Sequence, residues 1–307
     1  MSMKNIAVIG ANGFIGRNLT SRLMQDPKLN LFLFGKSKTS VFGDTLPYVQ
    51  LNLSNTEQVT KHFGGIDLVY YLASESIPSS TWEKPTLEIE KNLLPFIHFL
   101  ECIVKLKVKK IAFVSSAGTI YGASDQKVSE DSNKKPFSPY GITKLTMEYY
   151  LNYFEVKYKL HYDVYRVSNV YGDGQDTSKG LGIINTFLEK IITEKKIRIF
   201  GDGENIRNYI YVKDVANLLC LSLMSDPKNS NIYNLSSNDT LSINTLVAII
   251  KKVVNQDFET LYQDNRQSDN STIYLDNSKI AGAYPGFKFS TLEEGISKTY
   301  TYIKENN

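Results

Sequence analysis

The sequence predicts an α/β fold: a doubly wound parallel sheet with a smaller α/β lobe. Three observations lead there. Short apolar runs alternate with amphipathic stretches through the first half of the chain. The first of these runs ends in a glycine-rich turn, and beyond Gly172 the alternation loosens into turn clusters and shorter elements. Strands alternating with helices require βαβ crossovers, which cover a parallel sheet on both faces.

Ile6-Ala7-Val8-Ile9 is a continuous apolar run, as a strand buried on both faces should be. Phe14, Ile15, Leu19 and Leu23 fall at helical spacing over Phe14–Met24. Leu31–Phe34 and Tyr48–Leu53 read as the second and third strands. Ser54-Asn55-Thr56-Glu57 has the form of a capping box and predicts a helix start. Asp67–Ala73 and Lys110–Ser115 are two more strands, with a helical pattern from about Leu87 to Lys107 between them. A long helix over Tyr140–Tyr158 is entered through Ser138-Pro139, and Tyr162–Val170 reads as a sixth strand. Farther on, helices are expected over Ile183–Ile192, Val215–Met224 (capped by Asp214), Ser242–Val254 and Leu292–Ile303, with a short strand at Arg198–Phe200. Thr291-Leu292-Glu293-Glu294 opens the last helix. No repeat, low-complexity tract or linker rich in Pro, Gly or Ser separates the lobes, so they are expected to be intimate. The larger lobe is assigned to residues 1–171 and 204–235, the smaller to 172–203 and 236–307.

Composition narrows the function classes. In 307 residues, 35 Lys and Arg against 32 Asp and Glu give +3, too even for a nucleic-acid coat or a polybasic membrane anchor. Cys102 and Cys220 lie far apart and form no disulfide framework, which fits a reducing cytoplasm. His62, His98 and His161 show no ligand spacing with them, so no metal is expected. No apolar run approaches the roughly 18–20 residues of a membrane span. The run from Ile6 is too short for a signal-peptide core, and a cytoplasmic location is expected.

The turn after the first strand holds Gly10, Gly13 and Gly16. Gly10 allows the tight turn, Gly13 leaves room for a pyrophosphate, and Gly16 lets helix and strand pack closely. N–H groups at the helix start then face the phosphates. This is a Rossmann-type dinucleotide loop at the start of a chain of βαβ units. An acid normally ends the second strand and grips the ribose hydroxyls of NAD. Here Gly35-Lys36-Ser37-Lys38 offers no carboxylate and two lysines. NAD(P) is expected, with a modest lean to NADP, unless the lysines are only a solvated basic loop.

Tyr140 and Lys144 lie four residues apart, on one face of the long helix. A tyrosine is a poor base unless nearby positive charge favours its phenolate. Lys144 and a cationic nicotinamide are expected to do this, so that Tyr140 exchanges a hydroxyl proton near neutral pH. Tyr-x-x-x-Lys alone is frequent by chance; with the loop at Gly10 it becomes specific.

At these residues the sequence resembles the extended short-chain dehydrogenase/reductase family, in particular its NAD-dependent epimerase/dehydratase group. The resemblance runs through Gly10–Gly16, Tyr71-Leu72-Ala73-Ser74, Val114–Gly122, Pro139–Lys144, Arg166–Gly172 and Ile199–Asp214, nearly the whole chain. It implies a large lobe that holds the cofactor and a smaller one that closes over a nucleotide diphosphate sugar. Cofactor contacts are implied at Gly10, Asn12, Gly13, Phe14, Ile15 and Gly16, and at Lys36, Asn52 and Leu53. Further contacts are implied at Leu72, Ala73, Ser74, Ser115, Tyr140, Lys144 and Val167. Asn169 would touch the sugar diphosphate, and Arg207 and Arg266 would pair with phosphate oxygens, unless either arginine is a surface ion pair.

The sequence departs from the family pattern in places. The catalytic Ser or Thr of the family falls at Ala117. Ser116, or Thr119 in its place, is expected to supply the hydroxyl. Alternation puts Ala117 and Thr119 on one strand face and Ser116 on the other, if the strand persists that far. Asn52 stands where an acid often contacts adenine, and Tyr71 replaces a common histidine and is read as packing. The favoured function is a UDP-hexose 4-epimerase acting through a 4-keto sugar. Gly118-Thr119 lacks the Asp-Glu pair of a dehydratase. The alternatives are an NADP-dependent reductase of a 4-keto nucleotide sugar and a dinucleotide-binding regulator without catalysis. The resemblance implies a homodimer through the 87–107 and 140–158 helices, and their Phe96, Phe99, Tyr149, Tyr150 and Phe154 exceed one sheet-facing stripe.

Overall fold

A computed structural model describes residues 3–77, 82–264 and 272–306. The chain forms two compact units. The first comprises Met1–Ile120, Lys135–Arg166 and Ala216–Tyr233. The second comprises Tyr121–Lys134, Val167–Val215 and Asn234–Asn307. Tyr121–Lys134, Val167–Tyr171, Glu204–Val215 and Asn234–Leu235 therefore lie in the second unit, where the sequence reading assigns them to the larger lobe.

The first unit is built on strands β1 (Lys4–Ile9), β2 (Leu29–Gly35), β3 (Tyr48–Gln50), β4 (Leu68–Tyr71) and β5 (Lys110–Ser116). These pair in parallel in the order β5-β4-β1-β2-β3. Strand His161–Val167 adds beside β5, and strand Asn231–Leu235 beyond it completes the seven-stranded sheet. β3 stops at Gln50, shorter than expected, because Asn52 turns the chain by accepting the Ser54 N–H at 3.0 Å.

The helices of this unit are α1 (Phe14–Leu23), α2 (Thr56–Phe63), α3 (Thr86–Glu88), α4 (Leu94–Lys105), α5 (Ala117–Ile120) and α6 (Pro139–Tyr158). α2 is capped by Asn55, which accepts the Gln58 N–H, one residue later than the expected box. The expected 87–107 helix is interrupted by a π turn, Ile89–Leu93, between α3 and α4. Ser138 caps α6 by accepting the Gly141 N–H at 3.1 Å. The core under α2, α4 and α6 gathers Phe63, Phe96, Phe99, Phe113, Met147, Leu151 and Phe154. Phe96, Phe99 and Phe154 are thus sheet-facing and buried, not surplus surface apolar groups. Tyr71 is packing, edge-on to Phe96 and beside Phe113.

In the second unit the expected sixth strand proves to be two. It breaks at Ser168, and Asn169–Tyr171 pairs in parallel with Ile206–Tyr211, which also pairs antiparallel with Thr240–Ser242. Lys196–Phe200 pairs with Glu259–Gln263, and Lys127–Val128 with Tyr274–Leu275. Asp214 is not a cap: the helix starts at Val212, and the carboxylate accepts from Ser290 N and Oγ. The expected 215–224 helix is broken at Cys220 into Val212–Leu219 and Leu221–Met224. Leu292–Asn306 opens as expected, with Thr291 and Glu294 capping each other reciprocally.

Candidate active site

The glycine loop is fixed by close backbone approaches. Gly10 has φ +86°, which favours glycine, and a Cβ there would lie 3.0 Å from the Ala73 nitrogen. A Cβ on Gly16 would sit 2.1 Å from the Gly10 oxygen, so only glycine lets α1 start this close to β1. Gly13, Phe14 and Ile15 form the turn into the first turn of α1, whose unpaired N–H groups suit an anion. These residues fit a dinucleotide pyrophosphate. Asn12 ties the loop to the chain after β2, donating to Thr39 O at 2.7 Å and accepting Val41 N at 3.1 Å.

That chain is the ribose end of the expected site. Gly35 is covered by Tyr48, whose hydroxyl would meet a Cβ at 2.6 Å. Lys36 is 77% exposed and pairs with Glu75 at 2.5 Å. Lys38 is exposed. Asn52 is exposed and engaged in its own turn, with its N–H donating to Gln58 Oε1 at 3.0 Å, and Leu53 packs partly buried against the core.

β4 delivers Leu72, Ala73 and Ser74 to the middle of this unit. Leu72 N–H donates to Ile9 O at 3.0 Å, Ala73 touches Gly10, and Ser74 lies within hydrogen-bonding reach of the Tyr140 hydroxyl. Three consecutive residues thus connect the glycine loop to the tyrosine.

Tyr140 and Lys144 sit in the first turns of α6, and the Lys144 Nζ lies 5.7 Å from the Tyr140 ring centroid. Lys144 is 6% exposed and donates to Val114 O at 3.2 Å. Burial pulls its ammonium down to about 8, against the opposing pull of Glu88 and Glu148. Burial pushes the Tyr140 phenol well above its ordinary value, Glu88 adds to this, and Ser74 draws it back. The expected lowering of Tyr140 by Lys144 is not found: burial and Glu88 dominate, and the downward pull comes from Ser74.

β5 ends at Ser116, and the chain turns at once into α5. Strand alternation consequently does not sort Ser116 from Thr119. Thr119 Oγ1 donates to Ser116 O at 3.4 Å, and a Cβ on Gly141 would lie 2.4 Å from Thr119 O. α5 therefore rests by its main chain on the start of α6, next to Tyr140, and both hydroxyls are half-buried. Ser115 is different: its hydroxyl is buried, donating to Glu148 Oε1 at 2.6 Å. It faces the interior, where Arg166 grips the same carboxylate at 2.7–3.2 Å. Val167 ends its strand buried.

In the second unit Asn169 Nδ2 donates to Asn208 O at 2.9 Å. Arg207 is half-buried, with Nη1 donating to Ile206 O at 3.0 Å. Arg266 lies outside the described residues. Sequence reasoning missed Glu88, Asn92, Glu148 and Arg166. Glu88 and Asn92 are four apart, a spacing that puts them on one helix face, but Glu90 and Lys91 between them hide the pair among ordinary polar residues.

The profile of the NAD dependent epimerase/dehydratase family matches residues 6–236. A Methanocaldococcus jannaschii protein, provisionally named a UDP-glucose 4-epimerase, is 30% identical over 98% of this chain and 99% of its own. The UDP-glucose 4-epimerase of Thermotoga maritima, solved with UDP-glucose, superposes with a TM-score of 0.91 at 28% identity, covering 98% of this chain and 99% of that one. The Thermus thermophilus UDP-glucose 4-epimerase, solved with NAD, gives 0.87 at 26% identity, with 98% and 99% covered.

Proposed function

Because this chain belongs to the NAD-dependent epimerase/dehydratase family, we propose that it is a UDP-hexose 4-epimerase acting through a 4-keto sugar. The observation that carries this reading is the Leu72–Ser74 bridge, which links a dinucleotide loop at one end to Tyr140 and Lys144 at the other. A nicotinamide dinucleotide held by Gly10–Gly16 supplies the hydride acceptor for C4 and the hydride donor to the opposite sugar face. Tyr140 takes the C4 hydroxyl proton and returns it after the keto sugar has turned. Burial and Glu88 both raise the phenol, so its action as a base calls for positive charge beside it. Lys144 holds the nicotinamide ribose and contributes part of that charge. Ser116, with Thr119 as its substitute, steadies the C4 oxygen, replacing the hydroxyl missing at Ala117. Asn169, Arg207 and Arg266 hold the sugar diphosphate.

Finer points belong to the same reading. Gly35 supplies no carboxylate, but Lys36 is engaged by Glu75, so the lean to NADP rests mainly on Lys38 and stays modest. NAD is the dinucleotide bound by the Thermus thermophilus relative. The chain is a homodimer through the outer face of α6, where Ile142, Tyr149, Tyr153 and Val156 are exposed, together with Leu94 of α4. We place it in the cytoplasm, where its two free cysteines, both buried, remain reduced. No helix among the described residues is long and apolar enough to cross a membrane.

The test is incubation with UDP-glucose or UDP-galactose, followed by NMR of the sugar anomeric protons. Interconversion without net consumption of NAD(P)H is expected. Stoichiometric NADPH consumption on a 4-keto nucleotide sugar would make it a reductase. Dinucleotide binding with no turnover of any nucleotide sugar would make it a regulator.

A further inference from the structure

Beyond its upward pull on the Tyr140 phenol, buried Glu88 has no role assigned in the mechanism above. Glu88 ends α3, leads into the π turn Ile89–Leu93, and is 1% exposed. A carboxylate at that depth is costly unless hydrogen bonds and opposite charge hold it. Its Oε2 accepts from Asn92 Nδ2 at 2.9 Å. The same nitrogen donates to Ser76 Oγ at 2.9 Å, and Asn92 Oδ1 accepts the Glu75 N–H at 2.8 Å. Ser76 in turn holds Ser74, whose hydroxyl donates to Ser76 O at 3.0 Å. Glu88 thereby fixes which way the Asn92 amide faces, and Asn92 fixes the chain leaving β4, including the residue beside the Tyr140 hydroxyl. π turns gather at functional sites, and this one packs on α6.

We propose that Glu88 is a positioning residue of this site, anchoring the Ser74–Ser76 chain through Asn92 while presenting a fixed negative charge to Tyr140 and Lys144. Two other carboxylates lie nearby. Glu148, on α6 itself, is held by Arg166 and Ser115, and Glu75 by Lys36. An anion beside the pair makes both groups hold their protons more tightly. The direction agrees: Glu88 raises Tyr140 further and works against the burial that lowers Lys144. The turnover readout rests on the epimerase reading; the titration below does not.

Glu88→Gln keeps an oxygen acceptor for Asn92 and removes the charge. Lys144 Nζ is followed by NMR in cofactor-free protein with 15N-labelled lysine side chains, its signal assigned by loss in Lys144→Met. In Glu88→Gln it should lose its proton at a pH lower by about 0.5–1 than in the wild type. The acid limb of kcat/KM should move the same way, since either group of the pair then releases a proton more easily. Glu88→Met, which fills the space without charge, should give the same displacement, and carries the test if the Gln variant does not fold. Glu88→Asp should restore the wild-type titration. An unmoved Lys144 titration in a folded, uncharged variant would overturn the proposal. A wild type that epimerises nothing would remove the reading above and leave the titration to decide Glu88 by itself.

Discussion

The two faces of α6 invert the usual arrangement of a helix. Its inward face carries Tyr140, Lys144 and Glu148 beside the apolar Met147, Leu151 and Phe154. Its outward face exposes Ile142, Tyr149, Tyr153 and Val156, the last at 69%. Buried charge costs stability and exposed apolar area wastes it, so neither face is what folding alone would select. The inward face makes sense as chemistry: burial brings Lys144 down to about 8, which an exposed lysine would not reach. The outward face is where the homodimer proposed above would bury its contact.

The strongest way to break this contrast is Tyr140→Phe. Turnover should fall by about 10²–10⁴-fold, since only the proton-transfer group is lost. Dinucleotide binding, measured by calorimetry, should stay within a fewfold of wild type. Near-wild-type activity would remove Tyr140 from the mechanism and with it the chemical sense of the inward face.

The outward face is addressed by Tyr149→Ser combined with Val156→Ser. Light scattering at micromolar concentration should show the wild type as a dimer and the double variant largely as monomer. A wild-type monomer would show that these side chains are merely exposed.

Lys144→Met sharpens the comparison through pH. The folded lysine sits at about 8 against an ordinary 10.5, so between these values the unfolded chain binds more protons. Wild-type stability therefore gains with rising pH across that window, and the variant lacks the gain. Urea midpoints from pH 7 to 10.5 should show the wild type rising relative to Lys144→Met. A constant difference would mean that Lys144 titrates as it does in water.

The smallest effect is expected where a lysine is exposed. On the proposed lean to NADP, Lys36→Ala with Lys38→Ala should shift the NADP-to-NAD affinity ratio toward NAD by at most about tenfold, each contact being worth ~0.2–1 kcal/mol. Calorimetric titration of cofactor-free protein with each dinucleotide measures it. Tighter NAD binding in the wild type, unchanged by the double substitution, would make the loop a solvated surface.

Local signals were the legible ones. Gly10, Gly13, Gly16, Tyr140 and Lys144 could be found because a tight turn and a helix-face pair are encoded by neighbours in sequence. The same holds for the caps at Ser138 and Thr291. Tertiary pairings were not legible. Nothing near Ser115 says that its hydroxyl bonds Glu148, 33 residues on. Asp214 looked like a cap because its partner, Ser290, is 76 residues away. Phe96, Phe99 and Phe154 looked surplus because a periodicity count does not know how wide a sheet face they must cover. The break at Ser168 is likewise unmarked in Tyr162–Val170, where Asp163 and Arg166 interrupt the apolar residues as much as Ser168 does, since it reflects a change of pairing partner.

The short chain from Leu72 to Ser74 works as a gauge. One end abuts Gly10 through its main chain and the other reaches Tyr140 through the Ser74 hydroxyl, so the spacing between loop and phenol is set by a residue count and, at Ser74 alone, by a side chain. A misplacement of about 1 Å at a reacting centre can cost 10²-fold in rate. Substitutions along the gauge leave its length intact. Insertion of one residue between Ala73 and Ser74 would move the tyrosine's hydrogen-bonding neighbour by up to about 3.3 Å, one strand step. Leu72 should therefore tolerate a change of side chain far better than the stretch tolerates any change in length.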